Sequence, residues 1–106
     1  MSTRITDCFA KAKAEGRGAF VAYFTTGYPT MAQSEAAIDQ AIAGGADIIE
    51  LGVPFSDPFA DGGVIRSAAY EALKQGVCLD DVLAVAKRLR AKHPETALVL
   101  FTYYNV

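Results

Sequence analysis

The chain has 106 residues, 52% of them hydrophobic and 21% charged, a balance that suits one small folded domain and excludes a disordered, highly charged chain. Ten basic against twelve acidic residues leave a net charge of −2, and the basic ones are dispersed, which argues against nucleic acid as a partner. No window approaches the roughly 18 apolar residues of a membrane span, and the stretch Met1-Ser2-Thr3-Arg4-Ile5-Thr6-Asp7 is charged where a signal peptide is apolar, so the expected setting is cytoplasmic, with no membrane partner.

In chain order, Ile5, Cys8, Phe9 and Ala12 recur at helical spacing, and Gly16-Arg17-Gly18 ends that first helix. Residues 19–24 are apolar on both faces and predict a first strand covered on both sides. After the loop Thr25-Thr26-Gly27-Tyr28-Pro29, Thr30 and Gln33 resemble a capping box that opens a helix over 31–43, stopped by Gly44-Gly45. A second strand over 47–51 completes a βαβ unit. A helix over 64–75 carries Ile65, Ala68, Ala69, Ala72 and Leu73 and ends at Gly76. The next helix, capped by Asp80, places Val82, Leu83, Ala86 and Leu89 on one face before His93-Pro94 breaks it. A third strand covers 97–103. The cysteines, Cys8 and Cys78, match no metal spacing and read as reduced, partly buried thiols.

Three parallel strands joined by helical crossovers leave an open sheet with two unprotected edges, which reads as the beginning of something larger and favours self-association. The loop after the second strand holds the chemistry. Ligands of parallel sheets bind beyond the carboxyl ends of the strands, and this loop carries an acid at each end, Glu50 and Asp61, with no basic residue between. Strand alternation puts Glu50 on the face of Ile48, while Asp47, Ile49 and Leu51 share the other. Helices prefer the apolar face, so Glu50 is expected to point inward, where a carboxylate is costly unless partnered or used. Two plainer roles stay open: Glu50 pairing with a Lys or Arg or reaching water at the rim, and Asp61 capping the following helix.

The run Glu50-Leu51-Gly52-Val53-Pro54-Phe55-Ser56-Asp57-Pro58-Phe59-Ala60-Asp61-Gly62 resembles the signature of the tryptophan synthase alpha subunit family, and residues 20–29, 43–49 and 100–105 are similar to its flanking regions. Such a long acidic signature is far more specific than a lone glycine motif. The resemblance implies a TIM (β/α)8 barrel, of which this chain would supply the first three strands and their helices as a single incomplete domain, since such barrels need about 250 residues.

It further implies a lyase of tryptophan biosynthesis that cleaves indole-3-glycerol phosphate to indole and glyceraldehyde 3-phosphate. Glu50 would be the catalytic acid/base, protonating the indole ring carbon and taking the glycerol hydroxyl proton. Asp61 would hold the indole N–H and stabilise the indolenine tautomer. Two carboxylates in different environments suit two such tasks. Tyr23, Phe101 and Tyr103 fall where the family lines its indole pocket, although core packing explains aromatic rings as well. Thr25 and Asn105 lie near the loops. Pro54, Phe55, Asp57, Pro58 and Phe59 fall where the family's loop meets the beta subunit, or else only stiffen that loop. No metal and no cofactor are implied for this chain, because the family's pyridoxal phosphate belongs to the beta subunit.

Two departures stand out. Gly63-Val64-Ile65-Arg66 replaces the family's Pro and Ile-Gln, so the helix start is expected to be looser and a cation stands near Asp57 and Asp61. The phosphate-holding segments of the family's last strands have no counterpart, so the chain alone is expected to be inactive. The alternative is a non-catalytic α/β fragment or interaction module that keeps the signature.

Overall fold

A computed structural model of the chain describes residues 3–54 and 63–102. The elements run α1 (Arg4–Ala14), β1 (Val21–Thr25), α2 (Met31–Ala43), β2 (Ile48–Gly52), α3 (Gly63–Lys74), α4 (Leu79–Lys92) and β3 (Ala97–Phe101). The three strands form one parallel sheet in the order β1-β2-β3, as the alternation of helix and strand predicts.

The outer face of the sheet carries the main core. Ile49, Leu51 and Val53 meet Ile38 of α2, Ala72 of α3 and Val82, Val85 and Leu89 of α4, with Ala22, Phe24 and Leu98 packed alongside. On the inner face α1 covers only the amino ends of the strands, where Cys8 meets Ile48, Ala97 and Val99. The prediction that β1 is covered on both sides is corrected accordingly: Val21 is 43% exposed, because nothing described here covers the inner side of that strand.

Local chemistry sets the element ends. The Thr30 hydroxyl accepts the Gln33 N–H at 3.1 Å and opens α2, an N-cap that satisfies one of the helix's unpaired donors. Gly27, at φ 93°, adopts the left-handed conformation that glycine tolerates, and its N–H donates to Ser34 Oγ at 3.0 Å, tying the loop after β1 to α2. At α4 the cap is Cys78 rather than Asp80: the Cys78 N–H donates to Asp81 Oδ2 at 2.9 Å, so the acid that reaches back is the third helical residue. Val85 is buried in α4 where Leu83 was expected, and Ile5 and Phe9 of α1 are exposed, leaving Cys8 and Ala12 as its buried stripe. Both cysteines are free, Cys8 buried and Cys78 exposed.

At the amino end of the sheet, Arg17 grips Asp47 with two hydrogen bonds of 2.8 and 3.0 Å, and the Phe20 N–H donates to the same carboxylate at 2.8 Å. These contacts, Arg17's first, hold the Asp47 carboxyl down at about 2. On the outer layer α2 and α4 are joined by ion pairs from Arg88 and Lys92 to Glu35 and from Lys92 to Asp39, and the His93 ring, just past α4, hydrogen-bonds Asp39 at 2.8 Å. Hydrogen bonding from Arg88 lowers the Glu35 carboxyl. Burial alone would raise Asp39, but its hydrogen bonds from Lys92 and His93 outweigh that and leave it lowered.

Candidate active site

The strand register assembles the inner face in levels. Val21, Ile48 and Ala97 form the lowest, Tyr23, Glu50 and Val99 the next, and Thr25, Gly52 and Phe101 the level nearest the carboxyl ends. Ile49 and Leu51 are buried in the outer core, at 0% and 1% exposure. Pleating therefore turns Glu50, between them in sequence, toward the inner face. The expected orientation of this carboxylate is thus the one that the structure shows.

Glu50 is partly buried and is the one acidic or basic side chain in the three strands. Of its plainer roles, pairing with a cation is not made among the described residues. The ion pairs there engage Glu15, Glu35, Asp39, Asp47 and Glu71. Contact with water at the rim is consistent with its partial exposure.

Tyr23 stands beside Glu50 in register, and its ring meets that of Phe101 edge-on, with centroids 5.4 Å apart and planes at 84°. This is the favoured geometry of an aromatic pair. The two rings come from β1 and β3 and meet across the central strand at Gly52. Sequence reasoning passed over Gly52, although a glycine inside a strand signals close approach of another group. A Cβ there would run into the Tyr23 hydroxyl and lie 2.7 Å from the Tyr23 Cζ.

The end of β2 is held on both sides. The Thr26 N–H donates to the Gly52 carbonyl at 3.1 Å, and the Val53 N–H to the Phe101 carbonyl at 2.9 Å. Pro54 follows and is buried, as is Thr26, whose hydroxyl finds no hydrogen-bond partner among the described residues. Asp61, Tyr103, Phe55, Asp57, Pro58 and Phe59 lie outside the described residues, as does the Arg66 side chain. No cluster of three or more His, Cys, Asp or Glu suited to a metal occurs among the described residues.

A broad cleft of about 1130 Å³ opens at the opposite, amino end of the strands, lined by Arg4, Cys8, Lys11, Arg17 and Asp47 among others. Its groups are engaged with one another: Arg17 with Asp47, Cys8 Sγ with the Asp47 carbonyl at 3.1 Å, and Arg4 with the Pro94 carbonyl at 2.8 Å. That end of a parallel barrel serves stability, and the carboxyl end serves chemistry. Size therefore does not single out this cleft as the site.

The tryptophan synthase alpha chain family model matches residues 9–106. The chain is 47% identical over 103 residues to the tryptophan synthase alpha chain of Rhizorhabdus wittichii and 48% identical over 103 residues to that of Synechococcus elongatus, covering 97% of this chain and 38% of each relative. It thus spans little more than a third of the length of these curated relatives. Among solved structures, the tryptophan synthase subunit alpha of Legionella pneumophila superposes with a TM-score of 0.94 at 36% identity, over 99% of this chain and 40% of that one. The aminoacrylate-bound tryptophan synthase of M. tuberculosis superposes with a TM-score of 0.91 at 38% identity, over 98% of this chain and 42% of that one. Part of a (β/α)8 barrel is therefore the fold of this chain.

Proposed function

This chain belongs to the tryptophan synthase alpha chain family, and from that premise we propose that it carries the proton-transfer carboxylate of a lyase that cleaves indole-3-glycerol phosphate to indole and glyceraldehyde 3-phosphate. One observation carries the reading: an ionisable side chain on the inner face of the sheet, near the strands' carboxyl ends, beside an aromatic pair and joined to no described cation. Breaking the bond between the ring and the glycerol chain requires a proton on the departing ring carbon and loss of one from a hydroxyl. Glu50 does both in turn, as acid and then as base. Asp61 holds the ring N–H and stabilises the positive charge that develops there. Tyr23, Phe101 and Tyr103 form the pocket wall that fixes the ring plane.

Only partly buried, Glu50 still reaches water rather than lying in the dry, preorganised surroundings that proton transfer to carbon needs. The 106-residue chain by itself therefore turns over negligibly, and closure of the inner face by further barrel strands restores the chemistry. The partner surface falls to Phe55, Asp57, Pro58 and Phe59, toward a beta subunit, which holds the pyridoxal phosphate, while this chain holds no cofactor; Pro54, expected to share that surface, is buried at the end of β2 and does not belong to it. No helix among the described residues is long and apolar enough to cross a membrane, and the setting we propose is the cytoplasm.

The test joins the chain to the remaining barrel segments and compares indole release before and after Glu50→Gln. A fall of roughly 10²–10⁴-fold is expected. Equal rates in the two proteins refute the role given to Glu50, and robust indole release by the 106-residue chain alone refutes its incompetence.

A second reading has its own observation. Among the described residues β1 and β3 each border β2 alone, and Val21 and Phe101 are 43% and 44% exposed on these edge strands, so a non-catalytic, self-associating module is the alternative. Sedimentation equilibrium decides it: a monomer at all concentrations removes this reading.

A further inference from the structure

We propose that Gly52 is a positioning residue of the ligand-binding wall: its missing β-carbon is the slot in which the Tyr23 ring lies, and this seat fixes Tyr23 edge-on against Phe101 so that the pair takes a flat aromatic ligand beside Glu50. The inference rests on the reading of the inner face as the indole site, and it adds the residue that shapes the site.

The backbone conformation of residue 52 itself gives no reason for glycine at this position. Gly52 is absent from the positive-φ residues, which are Gly16, Gly27, Gly45 and Gly76, and it lies in regular register between Thr25 and Phe101. A glycine in a strand interior weakens the strand. Space is what it supplies. A Cβ would collide with the Tyr23 hydroxyl, come within 2.7 Å of Tyr23 Cζ and lie 2.9 Å from the Phe24 carbonyl oxygen. Because β2 is the central strand, any side chain at 52 also stands at the level where the Tyr23 and Phe101 rings meet. Removing that side chain brings together two rings whose strands do not touch each other, and the edge-on pair that results offers face and edge to a third ring. A larger residue at 52 swings Tyr23 away and opens the wall.

The experiment follows the full 106-residue chain by NMR. In the unmodified protein, nuclear Overhauser contacts link the Tyr23 ring protons to the Gly52 Hα and to the Phe101 ring, and titrated indole shifts both rings. Gly52→Ala weakens indole binding about tenfold when Tyr23 is present but less than about twofold in a Tyr23→Leu background, a coupling that contacting residues show and independent ones do not. The Phe24 carbonyl contact is common to both backgrounds and cancels. An equal loss in the two backgrounds overturns the proposal, as does a Tyr23 ring with no contact to Gly52 Hα, a measurement that stands even if Gly52→Ala does not fold. Indole that leaves both rings unshifted also overturns it. The lyase reading is judged separately by Glu50→Gln in the completed barrel, so either can fail without the other.

Discussion

Ile49 and Glu50 are neighbours in the chain and opposites in the molecule. Ile49 is fully buried against three helices, in a closed outer layer. Glu50, one residue on, faces the other side, where α1 reaches only the amino ends of the strands and two aromatic rings border the carboxyl ends. One face holds the fold and the other keeps a reactive group accessible. The proposed catalytic carboxylate thus lies where cohesion is weakest, since groups saturated by neighbours have nothing left for a substrate.

The sharpest way to break this contrast is to exchange roles between the two neighbours. Glu50→Gln in the completed barrel lowers indole release at least about a hundredfold while the melting transition stays within roughly 0.5 kcal/mol of the parent, as expected for a site away from the core. A large loss of stability would make Glu50 structural. Ile49→Ala does the reverse: the cavity left in the outer core costs about 3 kcal/mol, read from urea unfolding, with no direct effect on proton transfer in molecules that remain folded.

Moving down the sheet sharpens the comparison. Asp47 is bound by Arg17 and the Phe20 N–H, so Asp47→Asn lowers stability by about 2 kcal/mol, the scale of charge-assisted hydrogen bonds. The pH dependence has a defined sign. A carboxyl held at about 2 in the fold and near 4 when unfolded binds its proton more readily in the unfolded chain, so its contribution is present above about pH 4 and lost as pH falls toward 2. Glu35 and Asp39, also lowered, act in the same direction. The acid limb of a stability–pH curve should therefore be steep between about pH 4 and 2 and shallower in Asp47→Asn. An unchanged limb would show that Asp47 is not the group titrating.

Much of this was legible in the sequence, and the rest required neighbours. The strand 47–51 and its alternation were enough to orient Glu50, because a period of two admits only two faces and Ile49 and Leu51 claim one. In α4 the same kind of pattern misled: Leu83 and Val85 both fit an apolar stripe, and only the side of α4 that turns toward Ile49 and Leu51 selects Val85. Asp80 and Asp81 are equally good capping acids on paper, and the choice depends on which carboxylate reaches the Cys78 N–H. Phe9 and Ile5 follow helical spacing yet stay exposed, since α1 offers only Cys8 and Ala12 to the strands. The meeting of Tyr23 and Phe101 across Gly52 depends on β2 lying between β1 and β3, which strand-by-strand reading does not supply.

The smallest expected effect is also the most direct probe of how the two ends differ. Thr26 is fully buried at the carboxyl end of β1, its N–H bonded to Gly52 and its hydroxyl without a partner among the described residues. A buried hydroxyl that makes no hydrogen bond carries its desolvation cost uncompensated, whereas a methyl of nearly the same shape does not. Thr26→Val should therefore stabilise the chain by about 1 kcal/mol, the opposite sign from Asp47→Asn at the other end of the sheet. A destabilisation of similar size, measured by the same urea titration, would mean that the hydroxyl is satisfied in solution and that the carboxyl end is as well paired as the amino end.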